Sequence, residues 1–274
     1  MAGVSKEFEL SSKPPVEQAE IDKFNPSQLV SLIFYTERLP LYEKEKPFFL
    51  NFPPSEPGQR QSNVIYCRRE VCITDVRGHE DLFTLDTTGF QYKDFETTVD
   101  YQSFASPAAI EGTFLKEVEN FLTTELNADY VLAWDYQLLT ECHRFGEEIQ
   151  PYLPIIGANQ GKHSHSDRFI VCPPPPSVSS IGSLSDSLII LSFWKPLVGP
   201  VEDAPLALCD YRTVAPEDRV PTDIVFPDYL GETYNFWANP KHRWYYMEGQ
   251  LATEALIFKC FDSEAIINDK VAQC

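Results

Sequence analysis

The amino-acid sequence predicts an α+β domain, mainly β, built round a β-sandwich or barrel. One long amphipathic helix lies in the first half, and short runs rich in β-branched and aromatic residues dominate the second. No internal repeat and no low-complexity linker interrupts the chain. It is therefore expected to form an acidic N-terminal arm over residues 1–28 and a single domain over residues 29–274.

The elements follow in order. The arm is acidic and proline-containing, with little to bury before Leu29. Val30–Tyr35 alternates and carries β-formers, so it is expected to be a strand. Phe52-Pro53-Pro54 through Gly58 reads as a turn-rich connection. Val64–Cys67 and Val71–Val76 are two short β-like runs, and Leu82–Leu85 leads into Gly89-Phe90-Gln91-Tyr92.

Ala108–Leu126 is the long helix. Ile110, Phe114, Leu115, Val118, Phe121 and Leu122 recur at three- and four-residue spacings, opposite Glu111, Lys116, Glu117 and Glu119. Tyr130–Trp134 is expected to follow as a buried strand, and Pro173 to Pro176 mark a loop. Leu188–Trp194, Leu206–Tyr211, Trp244–Met247 and Ala255–Phe261 complete the expected strands.

Charge narrows the function. Lysine and arginine number 22 against 41 aspartate and glutamate, a net −19 that repels nucleic-acid phosphates and anionic lipid. No run approaches the roughly 20 apolar residues that span a bilayer, and the first residues lack an apolar signal core. The expected setting is cytoplasmic, without nucleic-acid or membrane partners, as a monomer or homodimer. Seven cysteines, an odd number with no CxxC pair, argue against a disulfide framework.

Few residues carry chemistry. There is no Gly-rich phosphate loop, GxSxG elbow or HExxH motif. Cys142-His143 is a poor nucleophile–base pair, because adjacent strand residues face opposite ways. Among five histidines, Lys162-His163-Ser164-His165-Ser166-Asp167 stands out. On a strand, His165 and Asp167 would face the same side and offer an imidazole and a carboxylate to one octahedral metal. His242, opening the aromatic run His242-Arg243-Trp244-Tyr245-Tyr246, is the candidate third ligand. Its other reading is a structural histidine packed beside Trp244.

Longer blocks add a resemblance. Phe193-Trp194-Lys195-Pro196-Leu197-Val198-Gly199-Pro200-Val201-Glu202-Asp203-Ala204-Pro205-Leu206-Ala207-Leu208-Cys209-Asp210 resembles a signature block of the fungal asaB-type hydroxylase/desaturase family. These are non-haem iron oxygenases related to the gibberellin desaturase and the cephem methoxylase component. Asn239-Pro240-Lys241-His242-Arg243-Trp244-Tyr245-Tyr246, Ala255–Ser263 and Gly89-Phe90-Gln91 are similar to further family blocks, so the resemblance runs from about Leu29 to Ser263.

The resemblance implies a double-stranded β-helix (jelly-roll, cupin-like) core with flanking helices, ferrous iron and 2-oxoglutarate as cosubstrate. It places the His-x-Asp at His165 and Asp167. Family members continue past this point with a histidine strand and an arginine strand, whereas no histidine or arginine follows Arg243 here. The chain thus reads as C-terminally shortened: either His242 is the distal ligand, or that ligand is missing.

A buried dicarboxylate also needs a cation. Lys195 and Arg243 are the candidates for the cosubstrate, with Lys259 behind them, while Arg212 is expected to pair with a nearby carboxylate. The expected activity is hydroxylation or desaturation of a secondary-metabolite intermediate. The alternative is a metal-independent relative that binds a metabolite or catalyses a non-redox step.

Overall fold

The structure, a computed structural model, describes residues 27–55, 57–133, 136–139, 168–171, 189–202 and 205–262. Most of the expected arm, the Pro173–Pro176 loop, Cys142-His143, His165 and Asp167 lie outside these residues. Three sheets and one main helix build the described part.

The strand expected at Val30–Tyr35 is β1 (Gln28–Thr36). It pairs antiparallel along its whole length with β3 (Tyr66–Asp75), from Gln28 opposite Thr74 to Thr36 opposite Tyr66. The two β-like runs expected around residue 70 are thus one strand. The intervening Arg68-Arg69-Glu70 does not break it, because those side chains are exposed while the backbone stays in the ladder. Arg68 rests over the Phe34 ring, 5.0 Å from its centroid. β11 (Trp244–Tyr246) runs parallel to β3, with Trp244 opposite Ile73, and β8 (Leu208–Cys209) closes this four-stranded sheet. Of the expected Leu206–Tyr211 run only two residues are strand. Asp210 then caps a 3-10 turn at Tyr211–Thr213 by accepting from the Arg212 backbone N–H.

A five-stranded sheet has the order β4 (Phe90–Asp94), β12 (Glu254–Asp262), β7 (Ile189–Pro196), β6 (Arg168–Val171) and β5 (Gln137–Leu139). Its centre is covered on both faces, so β12 reads as the continuous apolar run Ala255-Leu256-Ile257-Phe258. Leu256, Phe258 and Trp194 join one core cluster, Ala255, Ile257 and Phe193 another.

The second of these clusters lies under helix α1 (Leu115–Leu126). A short helical turn at Pro107–Ala109 and a wider π turn at Ile110–Phe114 precede it, in place of the uniform helix expected from residue 108. The wider turn accompanies burial of the adjacent Phe114 and Leu115 together with Val118 and Leu122. Asn127 ends the helix at φ 48°, a left-handed conformation asparagine tolerates.

Beyond the helix, Tyr130–Ala133 is not a strand. Its Ala133 N–H donates to Glu119 Oε1 at 2.9 Å, a helix side chain taking the place of a strand neighbour. A small third sheet, β10 (Leu230–Phe236), β9 (Arg219–Val225) and β2 (Phe48–Leu50), packs on the outside.

The strands therefore separate three apolar layers. The inner layer, between the two larger sheets, holds Trp194, Phe90, Tyr92, Leu256, Tyr245 and Met247. The helix layer holds Phe95, Phe104, Phe114, Phe193 and Ile257. The outer layer holds Tyr35, Ile73, Trp244 and Tyr246, with Phe236 from the small sheet. Among the described residues, no helix is long and apolar enough to cross a membrane.

Candidate functional site

Three of the five side chains predicted to build the site lie among the described residues, and the fold separates them: His242 enters the outer layer, Lys195 the helix layer, and Arg243 stays exposed. His242 and Arg243 lie just before β11, whose residues alternate between two layers. Trp244 and Tyr246 belong to the outer layer and Tyr245 and Met247 to the inner one, so His242 and Arg243 diverge.

His242 goes outward. Its ring stacks on Tyr35 with centroids 5.7 Å apart and meets the edge of Phe236. Nε2 lies 3.2 Å from Asp218 Oδ2 and Nδ1 3.3 Å from Tyr35 Oη. Burial pushes the imidazole pKa below its ordinary value, against the opposing pull of Asp218. The hydrogen bonds close as a single chain for the neutral ring. Trp244 Nε1–H donates to Tyr35 Oη at 2.9 Å, the Tyr35 hydroxyl donates to Nδ1, and Nε2–H donates to Asp218. Asp218 is itself buried and also accepts from Asn239 Nδ2 at 2.7 Å and from the Ala215 N–H at 3.2 Å. One ring nitrogen thus carries a proton and the lone pair of the other is taken.

Lys195 projects into the helix layer. It is 3% exposed, and its ammonium stands 5.6 Å from the Phe95 centroid and 6.0 Å from that of Phe114. Its neighbour Trp194, not Lys195, faces the inner layer.

Arg243 is exposed, and its side chain donates to the Tyr245 hydroxyl, whose ring belongs to the inner layer. Close by, Arg212 makes the structural ion pair expected of it. Its Nε and Nη2 bond both oxygens of Asp210, which is wholly buried, at 2.7–3.2 Å. Lys259 pairs with Asp262 at 2.9 Å and Asp86 at 3.2 Å. Phe83, Phe90 and Tyr245 pack ring to ring at 4.8–6.2 Å, giving this end of the inner layer an aromatic wall.

Among the described residues, no group of three or more His, Cys, Asp or Glu side chains is placed to hold a metal ion. They do not by themselves fit an iron site. The Arg243 guanidinium beside the Tyr245 phenol does fit a carboxylate, since both are hydrogen-bond donors and one is charged.

Residues 32–274 match the profile of the Oxidoreductase/YMDC permease-like domain, YDMC. The chain belongs to this family. Within the YDMC family it resembles the Fe(II)/2-oxoglutarate-dependent dioxygenase nvfI of Aspergillus novofumigatus. The two are 26% identical over 84% of this chain and 83% of that protein. The hydroxylase/desaturase CTB9 of Cercospora beticola is 29% identical over 73% of this chain and 67% of its own length.

Among solved structures, a variant of the iron and alpha-ketoglutarate-dependent endoperoxidase NvfI superposes with a TM-score of 0.68. It shares 24% identity, covering 87% of this chain and 85% of that one. At that identity the likeness establishes a common fold. The resemblance to fungal hydroxylase/desaturases read from the Trp194 and His242 blocks is borne out.

Sequence reasoning missed Tyr35 and Asp218, the two groups that hold His242. They lie 207 and 24 residues from it and carry no motif, so nothing local links them.

Proposed function

We propose that this chain is a non-haem iron(II), 2-oxoglutarate-dependent oxygenase with a double-stranded β-helix core. Its reaction is hydroxylation or desaturation of a small-molecule intermediate in secondary metabolism. The observation that carries this is the similarity to nvfI over 84% of the chain, within an oxidoreductase family matched from residue 32 onward.

His165 and Asp167 are the residues we assign to iron, on the strength of their His-x-Asp spacing. The placement of His242, with both nitrogens engaged, supports a scaffold role for it over that of third ligand. For the cosubstrate, Arg243 is the better-placed of the two predicted cations. It reaches the Tyr245 hydroxyl at the inner layer, whereas Lys195 lies across the sheet. The aromatic wall of Phe83, Phe90 and Tyr245 excludes water from that end of the inner layer.

Anaerobic titration of the protein with ferrous iron and 2-oxoglutarate tests the reading. The expected result is a weak charge-transfer absorption band in the wild type, lost in His165→Ala and retained in His242→Gln. A wild type without any band points to a metal-independent relative. A band that survives His165→Ala moves the metal elsewhere.

A further inference from the structure

Lys195 is left with an unusual problem by the fold. The residue is 3% exposed, yet among the described residues its ammonium makes no ion pair or hydrogen bond. An unpaired buried charge is costly, and the faces of Phe95 and Phe114 offset only part of that cost. Glu117 on α1 acts on the lysine from a distance. Its oxygens are held by Thr97 Oγ1 at 2.5 Å, the Thr98 N–H at 3.1 Å and the Thr98 hydroxyl.

Lys195 also lines a cavity of about 270 Å³. Val99, Tyr101, Phe104 and Leu197 form its apolar wall, with Thr97 and Thr253 as the polar members. Glu96 sits at the exposed rim. At about 30 Å³ per non-hydrogen atom the space suits a ligand of on the order of ten such atoms. One buried cation matches one negative charge, and the acidic rim disfavours a second.

We propose that this cavity is a binding site for a compact monocarboxylic acid with an apolar body, its carboxylate held by Lys195. The inference stands apart from the iron reading. It sets Lys195 on the helix side of the five-stranded sheet, where a single cation does not match a dicarboxylate.

The test is isothermal titration of the full chain with phenylacetate and, as a neutral isostere, phenylacetamide. The acid is expected to bind the wild type at least tenfold more tightly than the amide, and Lys195→Met to abolish that preference. Methionine fills the site without a charge, and its thermal melt confirms folding. If the variant does not fold, the acid–amide comparison on the wild type still decides.

A second readout is proton uptake. Burial has pushed the Lys195 pKa down to about 8, and a bound carboxylate raises it. Binding at pH 8 should therefore take up protons, seen as different heats in phosphate and Tris buffers, with Glu117, Glu96 and Tyr101 the other titratable groups nearby. Equal affinity for acid and amide, undiminished binding by Lys195→Met, competition by 2-oxoglutarate, or no heat at millimolar acid overturns the proposal.

Discussion

Replacing Tyr35 with phenylalanine removes one oxygen atom and almost no volume, and that oxygen joins two buried groups. Trp244 Nε1–H donates to it at 2.9 Å, and it donates to His242 Nδ1 at 3.3 Å. The Tyr35 residue is 3% exposed, Trp244 is 4% exposed, and the His242 side chain is 1% exposed, so water does not replace the lost partner. Each buried polar group left unsatisfied costs about 1–3 kcal/mol. Phenylalanine is easier to bury than tyrosine, which returns a fraction of this. The net expected loss is about 2–4 kcal/mol, a large part of the roughly 5–15 kcal/mol that holds a typical domain folded. Urea denaturation at pH 7.5 measures it as a lower midpoint with an unchanged slope. A loss below about 0.5 kcal/mol would refute the hydrogen-bond chain and leave Nδ1 of His242 open to another partner.

The same chain makes stability depend on pH. The folded-state pKa of His242 is depressed below its ordinary 6.5, so the unfolded chain binds the proton first as pH falls. Stability should be complete above 6.5 and decline as pH drops toward the folded value, by at most about 1.4 kcal/mol per pH unit from this group. Comparing urea midpoints of the wild type and His242→Gln between pH 7.5 and 5.5 isolates it, and identical profiles would remove His242 from the account. Gly199→Ala should cost about 1–3 kcal/mol by overpacking. Its new Cβ would stand 2.7 Å from Ala252 N, 3.0 Å from Leu251 Cα and 3.1 Å from Gln250 O, all backbone atoms. Differential scanning calorimetry should show a lower Tm, and an unchanged Tm would mean the loop shifts freely.

Particular elements show how much of this was legible. The apolar run Ala255–Phe258 and the spacing of Val118 and Leu122 announced a central strand and a helix, because each pattern is local and repeats with the period of its own backbone. β9 and β10 were overlooked. Thr222, Asp223, Gly231 and Glu232 interrupt any apolar run there, and these strands exist because they pair with each other and, through Asp223 opposite Phe48, with β2. Tyr130–Ala133 failed in the opposite direction, having strand-like residues but a backbone donor claimed by Glu119. At the site, the charge partner of Arg212 was readable two residues away at Asp210, whereas the partners of His242 were not.

By itself the sequence determined the mainly β class, the acidic character and the family blocks. Each of these is a local property of the chain, read from composition or from short runs of neighbouring residues. Only the tertiary structure decided which compartment each side chain entered. Those compartments arise where β11 meets β3, with Trp244 beside Ile73, and where the five-stranded sheet turns one face to the helix and the other to its neighbour. Burial is a relation among residues far apart in the chain, so no local spacing could send His242 and Lys195 to separate layers and leave Arg243 exposed.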